Sequence, residues 1–293
     1  MNSPTLDDPQ PAGAATATLR IRPLSERIGA EIAGADVRRM DDAAFREVLD
    51  TLARHHLVVV REQHLTEKDI ETFARRFGEV EGQVFRLANG ELLSPVHLVS
   101  NLDADGKPSV NPHLNANYFW HSDKAFMPKP AWVTMLYGVE IPEEGGDTQF
   151  ANMAVAYDTL PDATKARIDR LQVLNCFDHM LETTGKHRRS EEDKKNSRPT
   201  VHPMVRVDPV SGRKSLFLTM YTKEVVGMDP VEGRALIDPL IEHATKPENV
   251  YTFKWRKNDL LFWDNRNLNH RAVANYDMSK VRRVLQRVVV RGQ

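Results

Sequence analysis

The spacing of apolar and polar residues predicts two helices around one strand in the first third of the chain. Apolar residues recur at helical spacing from 37 to 55, and the β-branched run at 57–60 is typical of a buried strand. The run Thr66-Glu67-Lys68-Asp69 resembles a helix N-terminus, and the helix that it starts is predicted to end near Gly78.

The later apolar runs are short, and most of them predict strands. Strand character is found at 133–141, 201–207, 215–219, 259–263 and 284–290, with an irregular link between the last two. Helical spacing from 152 to 171, with Pro161 in a first turn, and from Asp229 onward predicts two more helices. Many short strands with a few edge helices predict one β-rich α+β domain with a helical flank.

Two segments depart from this pattern. Residues 1–18 are rich in Pro, Ala, Thr and Asp without a basic start or a continuous apolar stretch, which predicts a disordered tail rather than a signal peptide. Residues 178–198 are densely charged and poor in apolar side chains, so we expect either a mobile lid or a solvated surface insertion. Residues 19–293 show no repeat and no interior linker, and are predicted to form a single domain.

Composition narrows the classes of protein that fit. The 293 residues carry a formal net charge of −1, so bulk charge gives no reason to bind nucleic acid or a membrane surface. No apolar run approaches the roughly 18 residues of a membrane-spanning helix. Cys176 stands alone, which excludes an intramolecular disulfide and fits a reducing compartment. We therefore expect a cytoplasmic enzyme that binds neither nucleic acid nor membrane.

The first candidate for chemistry is Trp120-His121-Ser122-Asp123. In an extended segment His121 and Asp123 share a face, where both can bind one metal ion. An imidazole and a carboxylate suit a divalent ion such as Fe(II) better than Ca(II). Alone, the pattern is weak evidence for a metal site, and the alternative is a surface turn in which Asp123 accepts a hydrogen bond.

The second candidate is Trp263-Asp264-Asn265-Arg266, followed by His270. A predicted buried strand ends at this polar turn, and His270 would complete a set of two histidines and one carboxylate. Such a facial triad leaves three cis positions on iron, enough for a bidentate 2-oxo acid and dioxygen. By itself, His270 could also be a half-buried histidine bound to backbone.

The third candidate is the pair Arg283 and Arg287 in the closing strand. Their even spacing places both on one face, opposite Val284, Val288 and Val290. A guanidinium captures a carboxylate through two parallel hydrogen bonds, as at the far end of a dicarboxylic co-substrate. Arginines on a solvated strand face are the alternative, but the apolar surroundings favour an inward orientation.

Together these motifs resemble the taurine and 2,4-dichlorophenoxyacetate dioxygenase family. The resemblance runs from about residue 19 to the C-terminus, and it includes Gly145-Gly146-Asp147-Thr148 and the terminal arginines in the same order. It implies a double-stranded β-helix, or jelly roll, with Fe(II) in the mouth of the barrel. It also implies that the catalytic iron ligands are His121, Asp123 and His270.

The resemblance further implies roles around the iron. Thr148 and Arg283 match the pair that holds the distal carboxylate of 2-oxoglutarate, the co-substrate. Arg287 matches an arginine near the substrate anion and the C1 end of the co-substrate, and Asn117 matches a residue that lines the pocket. Because a buried guanidinium needs a partner, Arg287 favours an anionic substrate.

The implied reaction uses dioxygen to hydroxylate a small anionic organic substrate, an aryloxyalkanoate-like carboxylate or a sulfonate, and releases succinate and CO2. Hydroxylation beside a heteroatom can then lead to C–O or C–S cleavage. Members of the family are often dimers or tetramers, so a homo-oligomer is expected.

Two other classes stay open from the sequence. A zinc hydrolase could use the same three ligands with water in the fourth position, but it gives Thr148, Arg283 and Arg287 no role. A non-catalytic jelly-roll binding protein has no use for a complete ligand set.

Overall fold

The computed structural model describes residues 19–81, 95–110, 117–184, 198–209 and 211–292. Its strands are β1 (Arg20–Pro23), β2 (Ala30–Ala33), β3 (Leu57–Val60), β4 (His97–Ser100), β5 (Ala131–Glu140), β6 (Thr148–Asn152), β7 (Gln172–Asn175), β8 (Thr200–Pro203), β9 (Val205–Val207), β10 (Lys214–Leu216), β11 (Thr222–Val225), β12 (Val250–Phe253), β13 (Leu260–Asp264), β14 (Leu268–Ala272) and β15 (Val284–Arg291). Its α-helices are α1 (Asp42–His55), α2 (Glu67–Arg75), α3 (Met153–Asp158), α4 (Asp162–Ile168), α5 (Phe177–Thr183) and α6 (Pro230–Ala244), and short 3₁₀ turns lie at Val37–Arg39 and Pro247–Asn249.

The main sheet has the strand order β1-β2-β3-β13-β5-β15-β4 and is antiparallel except between β2 and β3. Its outer face is covered by α1 and α2. Alternate residues of the central strands, such as Leu260 and Phe262, pack there with Phe45, Phe73 and Phe77 from the helical side. The aromatic rings meet edge to face, an arrangement that aromatic pairs favour. This layer is the predicted helical flank.

The inner face of the main sheet covers a second sheet of order β12-β6-β14. Leu261 and Trp263, which alternate with the residues of the outer face, pack against Phe150, Phe253 and Leu268 of this second sheet. The described strands thus form facing sheets rather than a closed barrel. The candidate site lies between these two sheets, because its wall takes residues from β5, β13 and β15 of the main sheet and from β6 and β14 of the second sheet.

Helix boundaries follow local capping chemistry. The Thr66 hydroxyl accepts from the Asp69 N–H, and the Asp69 carboxylate accepts from the Thr66 N–H, so the predicted start of α2 is confirmed as a capping box. The helix ends at Arg75, three residues before Gly78. No helix in the described ranges is long and apolar enough to cross a bilayer.

Three local expectations were wrong. The helix expected over 152–171 is divided into α3 and α4, because Pro161 has no N–H to continue the first helix and its extended backbone occupies the position just before the second. The irregular link expected after β13 contains β14, which pairs with β6. The start of the charged segment is not an exposed excursion, since α5 occupies 177–183 and buries Met180 and Leu181.

The rest of the candidate lid, 185–197, lies outside the described residues, as does the expected tail at 1–18.

Candidate metal centre and its pocket

The three candidate ligands come together from two distant segments. The backbones of His121 and His270 exchange two hydrogen bonds of 3.0 and 2.8 Å, so their side chains stand side by side. Asp123 lies 3.9 Å from Nε2 of His121 and 3.8 Å from Nε2 of His270. All three residues are buried, and one ligand atom from each lies within 4.8 Å of the others. The spacing expected from the sequence therefore produces a cluster that could hold a metal ion.

The two imidazoles are suited to metal binding. Nδ1 of His121 is 2.8 Å from the Phe119 carbonyl oxygen, which as an acceptor requires the proton on Nδ1 and leaves the Nε2 lone pair free. Nδ1 of His270 is buried without a hydrogen-bond partner among the described residues. Burial lowers the pKa of both histidines, although Asp123 opposes this shift, so both rings are neutral at pH 7. Neutral imidazole is the form that binds a metal.

The carboxylate of Asp123 is anionic. Burial favours its neutral form, but the charge of the neighbouring Arg287 outweighs burial and holds the pKa of Asp123 well below its usual range. The Thr134 hydroxyl donates to Oδ2 of Asp123 over 2.6 Å. Two neutral imidazoles and one carboxylate match the donor set that non-heme Fe(II) enzymes use.

A cavity adjoins this cluster. Its wall includes His121, Asp123 and His270, and also the predicted residues Asn117, Thr148, Arg283 and Arg287. All seven candidate residues therefore border one space. Apolar side chains fill much of the remaining wall, including those of Leu136, Trp263 and Leu285.

Arg283 and Thr148 meet at a wall of the cavity, as expected. Nε of Arg283 donates to the Gly146 carbonyl oxygen at 2.8 Å, and a terminal nitrogen lies 3.4 Å from Oγ1 of Thr148. Arg283 is only 7% exposed and forms no salt bridge with any residue that the structure describes. Because Oγ1 of Thr148 also accepts from the Trp255 indole at 3.0 Å, its own proton is free to be donated. The pair can therefore bind a carboxylate.

Arg287 differs from expectation. One terminal nitrogen forms a close ion pair with Oδ1 of Asp123, and the other lies 3.5 Å from Nε2 of His97. Arg287 is thus not an unpaired cation, and its charge alone is no argument for an anionic substrate. The buried cation that lacks a carboxylate partner among the described residues is Arg283 instead.

Four residues that border or support the site had no role predicted from the sequence. Thr134 contacts Asp123 directly, and Asn265 contacts both Thr134 and the Asp123 backbone. Tyr118 and Tyr276 line the cavity close to Arg283. Only Asn265 carried a signal, as part of the Trp-Asp-Asn-Arg motif, because the other contacts form between segments that only the fold brings together.

Comparison with known proteins agrees with this geometry. Residues 20–289 match the sequence profile of the family described as taurine catabolism dioxygenase TauD, TfdA family. The chain belongs to this family. The resemblance inferred from the motifs is thereby confirmed, and the chain is an enzyme of the dioxygenase class.

Relatives and solved structures cover nearly the whole chain. An alpha-ketoglutarate-dependent 2,4-dichlorophenoxyacetate dioxygenase of Cupriavidus pinatubonensis is 34% identical over 90% of this chain and 95% of its own length. An (S)-phenoxypropionate/alpha-ketoglutarate-dioxygenase of Sphingobium herbicidovorans is 31% identical over 89% of this chain and 91% of its own length. A crystal structure of AAD-2 in complex with Mn(II) and N-oxalylglycine superposes with a TM-score of 0.83. It is 35% identical in sequence, and the match covers 94% of this chain and 98% of that one. The expected jelly-roll class is confirmed by these neighbours.

Proposed function

We propose that this enzyme is an Fe(II)- and 2-oxoglutarate-dependent dioxygenase that hydroxylates a small anionic organic substrate. One observation carries the proposal: a single cavity is bordered both by the cluster of His121, Asp123 and His270 and by Arg283, a buried cation that has no carboxylate partner among the described residues. A metal at the cluster and a carboxylate at Arg283 would be bridged by a short dicarboxylic 2-oxo acid. The relatives named for alpha-ketoglutarate support this co-substrate.

Each residue of the site then has a task. His121, Asp123 and His270 hold the ion, and Arg283 with the free proton of Thr148 binds the distal carboxylate of 2-oxoglutarate. Fe(II), when bound there, supplies dioxygen activation and the oxidative decarboxylation that yields succinate and CO2. Leu136, Trp263 and Leu285 form an apolar wall that keeps water from the reacting C–H bond.

The substrate would lie near Asn117 and Arg287, and we favour an aryloxyalkanoate-like carboxylate. The two phenoxy-acid relatives support this choice. Hydroxylation of the carbon that bears the ether oxygen gives a product that expels the phenol, so C–O cleavage follows. A sulfonate, with C–S cleavage, is the second substrate class that the same site could accept.

The test begins without oxygen. Anaerobic Fe(II) and 2-oxoglutarate should together give a weak metal-to-ligand charge-transfer band in the visible, which neither gives alone. A panel of aryloxyalkanoates and sulfonates is then scored for substrate-dependent succinate release and oxygen uptake. No band and no succinate with any anion would contradict the proposal. Turnover of a hydrolysable ester with Zn(II), without oxygen, would instead support the hydrolase.

A cytoplasmic location, a homo-oligomer, a single domain over 19–293 and a lid within 178–198 remain predictions. Size measurement in solution tests the oligomer, and hydrogen exchange with and without ligands tests the lid.

A further inference from the structure

Both oxygens of the Asp123 carboxylate are held by protein donors. Arg287 forms its ion pair at Oδ1, and the fully buried Thr134 donates its hydroxyl proton to Oδ2 at 2.6 Å. Thr134 lies on β5, whereas Arg287 lies on the neighbouring strand β15. The plane of this carboxylate is therefore fixed from two sides by the main sheet.

The orientation of the Asn265 amide is determined by its neighbours. Its Oδ1 accepts from the Asp123 N–H at 3.1 Å and from the Trp263 indole N–H at 3.2 Å. Both neighbours can only donate, so the oxygen of the amide must face them. The amide nitrogen consequently faces Oγ1 of Thr134 at 2.9 Å and the Trp132 carbonyl oxygen at 3.4 Å.

This orientation gives the hydrogen bonds one direction. The Thr134 hydroxyl has a single proton, and it accepts from the amide nitrogen of Asn265, which has no lone pair to offer. The hydroxyl proton must therefore point to Asp123. Trp263 donates to Asn265, Asn265 to Thr134 and Thr134 to Asp123, and each step excludes the reverse arrangement.

We propose that Thr134 and Asn265 are positioning residues that orient the Asp123 carboxylate and so set the metal affinity of the site. With Oδ2 held by Thr134, the carboxylate cannot rotate toward Arg287 and lose its place between the two histidines. Without that hydrogen bond, the ion pair with Arg287 dominates. This inference rests on the proposed role of Asp123 as a metal ligand. Partners of metal ligands commonly contribute about 10- to 100-fold to metal affinity.

The first experiment measures Mn(II) affinity of the full chain by electron paramagnetic resonance, which needs no turnover. Thr134→Val keeps the shape but removes the hydroxyl, and should weaken Mn(II) binding about 10- to 100-fold. Thr134→Ser, which restores the donor, should bind nearly as the wild type does. The matched control is Thr51→Val, which removes another buried hydroxyl, one that donates to the Glu47 carbonyl oxygen at 2.6 Å on α1. The control should leave Mn(II) affinity unchanged.

The second experiment reverses the hydrogen-bond direction. In Asn265→Asp the group facing Thr134 becomes an acceptor, so the hydroxyl proton turns away from Asp123. The negative charge that Asp adds would by itself strengthen cation binding. Weaker Mn(II) binding by this variant would therefore show the effect of reversing the Thr134 hydrogen bond. The double variant Asn265→Asp/Thr134→Val should weaken Mn(II) binding no more than the stronger single substitution does, because both substitutions break the same series of hydrogen bonds.

The outcomes separate cleanly. If folded Thr134→Val binds Mn(II) within twofold of the wild type, the positioning role is refuted while the proposed function stands. If Thr134→Val does not fold, Asn265→Asp decides, and unchanged or tighter binding by it overturns the inference. If the wild type binds neither Mn(II) nor 2-oxoglutarate, the proposed function fails instead.

Discussion

At the scale of single residues, Asp123 is the one anionic member of the candidate ligand set. Asp123→Ala removes a ligand and leaves two neutral imidazoles beside Arg287, so binding of Mn(II) or Fe(II) should be lost together with substrate-dependent succinate release. Asp169→Ala, which breaks the ion pair with Lys214 outside the cavity, is the control and should bind metal normally. Normal metal stoichiometry and turnover in Asp123→Ala would refute the ligand assignment.

Arg283 is the residue that should distinguish 2-oxoglutarate from other 2-oxo acids. Arg283→Gln removes a charge-assisted contact of about 1.5–3 kcal/mol, so affinity for 2-oxoglutarate should fall by roughly 10- to 150-fold. Pyruvate lacks the distal carboxylate, and its weak binding should change little. The neighbouring Arg282, which pairs with Glu140 at the surface, gives the control Arg282→Gln. Equal weakening of both 2-oxo acids would mean that Arg283 acts only on structure.

At the scale of elements, the turn before β6 positions Arg283. Gly146 has a φ of +67°, its carbonyl oxygen accepts from Arg283, and a Cβ there would lie 3.1 Å from Cδ of Arg283. Gly146→Ala should therefore weaken 2-oxoglutarate binding while Mn(II) binding is retained, as titration of each would measure. Gly227→Ala shares the positive φ, at +77°, but no atom lies within 4 Å of its added Cβ. Because both variants carry similar backbone strain, a loss of 2-oxoglutarate affinity in both would indicate that strain alone is the cause.

At the scale of the whole molecule, buried and half-buried histidines outside the ligand set link stability to pH. Burial lowers the pKa of His56 and His202, and lowers the pKa of His97 to about 4, where Arg287 adds to the effect. Between about pH 6.5 and 4 the unfolded chain binds protons at these residues that the folded chain does not. The free energy of unfolding should therefore fall as pH falls through this window.

Denaturant unfolding from pH 7.5 to 4.5 measures this dependence. His97→Asn removes one of the groups, so its stability should depend less steeply on pH than that of the wild type. A slope that is unchanged in the variant would show that His97 does not contribute.

Local sequence determined most of the elements. The capping box of Thr66 and Asp69, the β-branched run of β3 and the apolar run of β13 are each local to a few residues, so each could be recognised without tertiary contacts. The ligands were recognisable too, because their types and order are those of a family motif. The prediction of an element failed where pairing with a distant segment determines it. The link expected after β13 is the strand β14 because it pairs with β6.

Only the tertiary structure determined which side chains of the site pair with one another. The sequence placed Arg283 and Arg287 on one face, but it could not tell that Asp123 neutralises Arg287 while Arg283 has no such partner in the described part of the chain. The role of Thr134 could not be predicted from the sequence, because it depends on the pairing of β5 with β13. That pairing brings Thr134 to Asn265 and Asp123. Hydrogen bonds and ion pairs act over about 3 Å, and the chain reaches those distances only after its sheets have formed.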